Sequence, residues 1–261
     1  MAVGLPFGVM AFGVMAFGVM AFGVMALAQI AIPLTGDDAT IEWLSTVVVT
    51  AFFVTSLALA AGRWGAGRAA TAAAVVTVAT LAIERLGSTT GFPFGEYHYT
   101  GALQPSIGDV PLIVPLAWFA MGVPALEVGH TIARRSRAGA VLIGAVALTA
   151  WDLFLDPQMV GNGYWEWAVD GVYEGIPISN YLGWLGVGVV VLAVVDRIRP
   201  IDPPPGLLLL ALYTWWAVMN TIGFLVFFGE PFVGLVGGVG MGLVTAAAWR
   251  RRTARPEAAR A

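Results

Sequence analysis

Eight apolar stretches, each long enough to cross a bilayer as a helix, follow one another with little between them, and they constrain this chain more than any other feature. Read between polar breaks, they run over residues 7–34, 41–61, 69–86, 111–131, 139–156, 179–196, 206–228 and 231–249. About 20 apolar residues in a helix span the ~30 Å hydrocarbon core, where every backbone polar group must find its partner within the protein. Only 11% of the 261 residues are charged and 59% are hydrophobic. Soluble domains carry roughly 25% charged residues, so this chain could not clothe a soluble core. The expected fold class is all-α: a polytopic transmembrane helix bundle of about eight spans, one integral membrane domain over 1–261, in the cell membrane.

Arginines sort the connections. Arg63 and Arg68 follow the second stretch, and Arg134, Arg135 and Arg137 the fourth. Arg197 and Arg199 follow the sixth, and Arg250, Arg251, Arg252, Arg255 and Arg260 make a short basic tail. The other connections are acidic, with Asp37 and Asp38, then Glu96 and Asp109, then Glu166, Asp170 and Glu174, and last Glu230. Twelve of the 13 arginines therefore fall on one side, Arg85 being the exception. The positive-inside rule predicts that both termini are cytoplasmic. With no cysteine and no lysine, the chain has no disulfide, no thiol-ligated metal and no Schiff-base lysine of the retinal type.

The first stretch contains FGVMA four times over residues 7–26. A five-residue step turns a helix by about 140° at ~3.6 residues per turn, so Phe7, Phe12, Phe17 and Phe22 spread around the axis. The repeat has no polar group and no G-x-x-x-G seam, and it is expected to be a spacer span. A cleaved signal peptide is the competing reading, because Ala26-Leu27-Ala28 before Gln29 resembles a small-residue cleavage site. Against it, no basic residue precedes the run, which is far longer than a signal core. IRPIDPPPG at 198–206 reads as a rigid proline-rich connection.

Two long connections on the acidic side stand out, because connections inside bundles are usually short. Residues 87–110 (GSTTGFPFGEYHYTGALQPSIGDV) and 157–178 (PQMVGNGYWEWAVDGVYEGIPI) are rich in glycine, proline and aromatics. They are expected to fold back as lids or re-entrant pieces, the alternative being an aromatic belt at headgroup level. Beside them lie ionisable groups that a membrane makes costly. Asp152 and Asp156 are four apart on one helix face, with Pro157 expected to close that helix. Glu84 is adjacent to Arg85, which allows a structural ion pair, and Asn180 and Asn220 fall within spans six and seven. Glu127 and His130 form an E-x-x-H, half of a di-iron pattern. With only two histidines in the chain, a polar helix terminus is the better reading, and no metal or other cofactor is expected.

The segments GFPFGEYHYTGALQPSIGDVPLIVPLAW (91–118), TAWDLFLDPQMV (149–160) and GYWEWAVDGVYEGIPISNYLGW (163–184) resemble the carotenoid biosynthesis membrane family. This family includes carotenoid 1,2-hydratases and bisanhydrobacterioruberin hydratase, and the resemblance runs through about 100 residues, roughly 84–186. It implies addition of water across the terminal double bond of an acyclic carotenoid ψ-end group, giving a tertiary alcohol. The residues suit that chemistry. Protonating a trisubstituted alkene needs a carboxylic acid kept protonated by apolar surroundings or by sharing a proton with a second carboxylate. Asp152 and Asp156 offer such a pair, with Glu84 or Glu96 as a third member. A tertiary cation is stabilised by aromatic faces, for which Tyr97, Trp118, Trp151, Trp165 and Trp184 are candidates, while Asn180 and Asn220 could hold the attacking water.

The expected partners are an acyclic carotenoid arriving from the lipid phase, membrane lipids and other carotenoid-pathway membrane enzymes, with no nucleic acid. Three alternatives remain. Asp152 and Asp156 have the D-x-x-x-D form of a prenyltransferase, although no second acidic motif is present. An isomerase or cyclase would share the protonation step. A proton-coupled transporter could use the same carboxylates, but the chain shows no internal repeat.

Overall fold

The computed structural model describes residues 4–203 and 206–254, with side chains from residue 13 onward. The side chains of Phe7 and Phe12, and Arg255 and Arg260 of the tail, lie outside the described residues. The helices are α1 (Gly4–Ala31), α2 (Asp38–Trp64), α3 (Ala66–Thr90), α4 (Ile113–Ile132), α5 (Arg137–Gly161), α6 (Ile178–Ile198), α7 (Leu207–Ile222) and α8 (Pro231–Thr253). A short 3₁₀ turn, Ile32–Leu34, follows α1, and a π-helical turn, Gly223–Phe227, follows α7. Among the described residues, eight helices are long and apolar enough to cross a membrane, as the hydropathy pattern predicts.

Local chemistry sets the helix ends. Asp37 caps α2 by accepting from the Thr40 N–H at 2.9 Å, and Ser136 caps α5 by accepting from the Gly139 N–H at 2.9 Å. The most buried span is α4, which packs against α2, α3, α5, α6, α7 and α8. Its crossing with α5 is so close that a Cβ on Gly129 would stand 1.9 Å from the Ala140 carbonyl oxygen, so only glycine fits there.

Two prolines inside helices create attachment points. A proline has no N–H, which frees the carbonyl four residues earlier. Pro124 in α4 frees the Ala120 oxygen, which accepts from the Ser56 hydroxyl of α2 at 2.7 Å. Pro157 was expected to end its helix, but α5 runs on to Gly161. The freed Leu153 carbonyl accepts instead from the Tyr173 hydroxyl at 2.9 Å, fastening the second long connection to the helix. The proline that looked like a stop is thus an anchor for the segment above it.

The structure gathers the arginine-bearing connections at one end of the bundle, called here the arginine end. Arg63 pairs with Glu127 at 3.0 Å. Asp196 is bonded by Arg137, Arg199 and His130 at 2.7, 2.9 and 2.6 Å. The E-x-x-H residues Glu127 and His130 therefore belong to an ion-pair cluster, as a polar helix terminus would. The two long connections close the opposite end, called here the lid end.

These connections join each other through a short ladder absent from the sequence reading. Strand β1 (Tyr97–Tyr99) pairs antiparallel with β4 (Trp165–Trp167). A second pair, β2 (Ser106–Ile107) with β3 (Val110–Pro111), folds the first connection on itself. Alternation in Y-H-Y and W-E-W turns Tyr97, Tyr99, Trp165 and Trp167 inward, and leaves His98 and Glu166 exposed as a 3.5 Å pair.

Candidate active site

The acidic pair is built from the lid ends of α5 and α6. Asp152 and Asp156 sit one turn apart on α5, and both are fully buried. Asn180, in the first turn of α6, points the two hydrogens of one amide nitrogen at them. Its Nδ2 lies 2.8 Å from Asp152 Oδ2 and 2.7 Å from Asp156 Oδ2. The other Asp156 oxygen accepts from the indole N–H of Trp165 in β4. Asp152 Oδ1 is buried with no hydrogen-bond partner among the described residues. Trp167 turns its indole toward Asp156 without completing a hydrogen bond. Among the described residues, no arginine or histidine pairs with either aspartate.

Glu84, on α3, sits in a different environment. One of its oxygens accepts from Tyr97 at 2.7 Å and Tyr99 at 2.8 Å, and the other from the Trp118 indole at 2.9 Å. Burial first, and the nearby Glu84 charge second, push both tyrosine hydroxyls well above the ordinary phenol range, so both remain donors. With three donors, Glu84 ties α3, α4 and the first lid together. The expected alternative of a Glu84–Arg85 ion pair does not occur. Arg85 turns outward to Asp109 at 3.0 Å, both side chains being exposed. Phe94 locks the same lid by filling the space between α3 and α6, where Cβ atoms on Gly87 and Gly183 would fall 2.8 and 2.7 Å from its ring.

These groups surround a cavity of about 50 Å³, lined mostly by apolar and aromatic side chains. That is room for a few waters or the tip of an apolar chain. Asp156, Asn180, Glu84, Tyr97, Trp165 and Trp184 all reach its wall, as do Trp167, for which an aromatic belt and a site were equally expected, and Tyr99, which nothing in the sequence marked. Trp184 stacks on Trp118 with centroids 4.0 Å apart and planes 12° apart. Asp152 stands behind Asp156, joined to it through Asn180 rather than facing the cavity.

Three expected site residues fall elsewhere. Glu96 is exposed, and its contribution is a carbonyl that accepts from the Ala168 N–H across the lid ladder. As the residue between the inward Phe94 and Tyr97, it faces away from the bundle. Asn220 is bonded to Gln29 at 3.4 Å in a second cavity, so it cannot hold a water at the acidic pair. Trp151 also lines that second cavity and meets Trp184 edge-on at 6.2 Å.

The second cavity, about 270 Å³, is bounded by α1, α2, α5 and α7 and by the turns after α1 and α7. Its polar spots are few. Gln29 accepts from the Trp215 indole at 2.9 Å beside Asn220. The first span, expected to be only a spacer, thus contributes its last turn to an internal site. Nothing in FGVMA signals this, because Gln29 follows the repeat.

The fold and this site define an integral membrane helix bundle that keeps a buried pair of carboxylates, bonded to no cation among the described residues, beside an aromatic cavity beneath two joined lids. A family model for carotenoid biosynthesis proteins matches residues 42–247, and the chain belongs to that family. It is 35% identical over 150 residues to the bisanhydrobacterioruberin hydratase of Haloarcula japonica, a match covering 55% of this chain and 51% of that protein. The chain thus spans about half the length of that relative. No solved structure matches.

Proposed function

We propose that the chain is a hydro-lyase that adds water to the terminal double bond of an acyclic carotenoid ψ-end group. The observation that carries this reading is the Asp152–Asp156 pair. Two buried carboxylates meet the same amide nitrogen, Asp156 at the wall of an aromatic cavity and Asp152 behind it, and no cation is bonded to either among the described residues. Such a pair is most stable holding one proton between its members. Asp156, at the cavity wall, delivers that proton, and Asp152 behind it shares the charge left after delivery.

In the proposed reaction the alkene π pair takes the proton at the less substituted carbon, leaving a tertiary cation. The faces of Trp184, Trp165 and Tyr97 stabilise the cation without trapping it. A water in the cavity, within reach of the unpartnered Trp167 N–H, adds its oxygen lone pair to the cation. The oxonium then returns a proton to the aspartate pair, so the acid is regenerated and no cofactor is consumed. Glu84 and its three donors hold the lid and α4 in register around the end group.

The prenyltransferase alternative fits less well. Enzymes of that class hold magnesium and diphosphate with two acidic motifs, and the sequence has no second one beside the D-x-x-x-D of Asp152 and Asp156. The positive-inside rule places the arginine end in the cytoplasm and the lid end outside, with both termini cytoplasmic. The test is expression in a host that accumulates acyclic carotenoids. A product heavier by one water is expected with the natural chain and not with Asp156→Asn. Unchanged carotenoid in both would overturn the reading.

A further inference from the structure

The two cavities are neighbours. Val49, Leu155 and Met159 line both, so a wall one side chain thick separates the acidic cavity from the larger one. Indole rings run along one side of both. Trp184 lines the first cavity, and Trp151 and Trp216 line the second, with successive centroids 6.2 and 5.8 Å apart. The larger cavity is also open on the hydrocarbon side. Ile30, Leu34, Ile222 and Phe227 line it while remaining 42%, 71%, 43% and 51% exposed, so the same side chains face both its interior and the lipid. They belong to the last turn of α1, the 3₁₀ turn after it, the end of α7 and the π turn after that. Such π-helical turns are frequent at functional sites.

We infer that the larger cavity is the seat of the substrate's polyene chain, which is taken up from the bilayer through a portal between the α1 and α7 ends, so that the chain tip passes Leu155 and Met159 to reach Asp156. The inference rests on the proposed reaction at Asp156 and deepens it by assigning a binding site and a route. An apolar wall with an indole rail suits a flat conjugated chain. At about 270 Å³ the cavity is smaller than the ~300–1,000 Å³ typical of whole-ligand pockets, so it holds a segment of a long polyene and leaves the far end in lipid. Leu155 and Met159 then act as a size filter. A linear tip slips between a leucine and a flexible methionine, whereas a ring at the chain end meets them and stops. This makes α1 a working wall of the site, because Gln29, Ile30 and Leu34 all belong to it or to the turn that follows.

The test measures acyclic carotenoid bound per chain, by absorbance, for full-length Asp156→Asn protein in lipid nanodiscs, where turnover does not remove the ligand. Adding Met219→Trp, which fills the larger cavity without touching the acidic one, is expected to weaken binding about ten-fold or more. Adding Leu34→Arg puts a charge at the exposed mouth and is expected to slow uptake several-fold; if Met219→Trp does not fold, this variant decides the matter alone. Leu142→Trp, on the exposed face of α5 away from both cavities, is expected to bind like its parent. Parental affinity in the Met219→Trp variant together with a parental uptake rate in the Leu34→Arg variant would overturn the inference. The proposed reaction fails separately, if the natural chain binds the carotenoid in this pattern yet forms no hydrated product.

Discussion

The two ends of the bundle handle buried charge in opposite ways. At the arginine end, Asp196 is met by two arginines and a histidine, and Glu127 by Arg63 and the Gly206 N–H. Each carboxylate there has its countercharge, and the cluster holds α2, α4, α5 and α6 together. At the lid end Asp152, Asp156 and Glu84 are buried too, yet only neutral N–H and O–H groups bond to them among the described residues. Burying a carboxyl without a cation is costly; Glu84 offsets that cost with three donors that tie the lid to the bundle, whereas Asp152 keeps one oxygen without a partner among the described residues. On the proposed function the Asp152–Asp156 pair is kept for chemistry, while the arginine-end cluster and Glu84 with its three donors serve structure.

This contrast predicts different losses at the two ends. The largest is expected for Asp156→Asn, which removes the acid at the cavity wall. Turnover should fall about 10⁴-fold, the upper range for a positioned general acid, while thermal unfolding in detergent stays close to that of the natural chain. Asp152→Asn should cost less, about 10²-fold, since it removes the partner that shares the proton rather than the donor. Equal losses from the two would mean that either aspartate can deliver the proton. Asp196→Asn should behave oppositely. It breaks a partly buried cluster, and a loss of about 2 kcal/mol is expected, below the ~3–5 kcal/mol of a fully buried pair because Arg137 is half exposed. Turnover per folded molecule should not change, which activity normalised to the folded fraction would check.

Smaller effects sharpen the picture. Tyr173→Phe removes the hydroxyl that takes up the carbonyl freed by Pro157, at a cost of about 1 kcal/mol. Its signature would be faster hydrogen exchange in 163–177 without a shift elsewhere. The smallest effect is expected for deleting one FGVMA unit. The repeat carries no site group, and α1 keeps its spanning length with residues 27–34 in place. Carotenoid conversion in cells should be nearly unchanged, and a large loss would show that the repeat fixes the position of Gln29 and the portal.

The spans and the acidic pair were legible because each depends on a short-range rule. Hydropathy over 20 residues marks a span, and a four-residue spacing puts Asp152 and Asp156 on one face. The same rule argues against Glu84 with Arg85, since adjacent helical residues point about 100° apart and do not face each other. Arg85 turns out to Asp109, and Glu84 turns in to three donors. Y-H-Y and W-E-W do carry the strand period, but three residues are too few to distinguish a ladder from a loop without its partner. Asn220 was misplaced because a polar residue deep in a span shows that a partner exists without showing which. Its partner is Gln29, 191 positions away. The role of α1 was hidden by the same distance.

In the proposed reaction water is the co-substrate and the aspartate pair its acid–base partner. The most direct measurement supplies oxygen-18-labelled water, under ordinary oxygen, to membranes holding the natural chain and an acyclic carotenoid. One labelled oxygen is expected for each water added, and none in parallel membranes holding Asp156→Asn. An alcohol that stays unlabelled in heavy water and takes its oxygen from molecular oxygen would contradict that reaction.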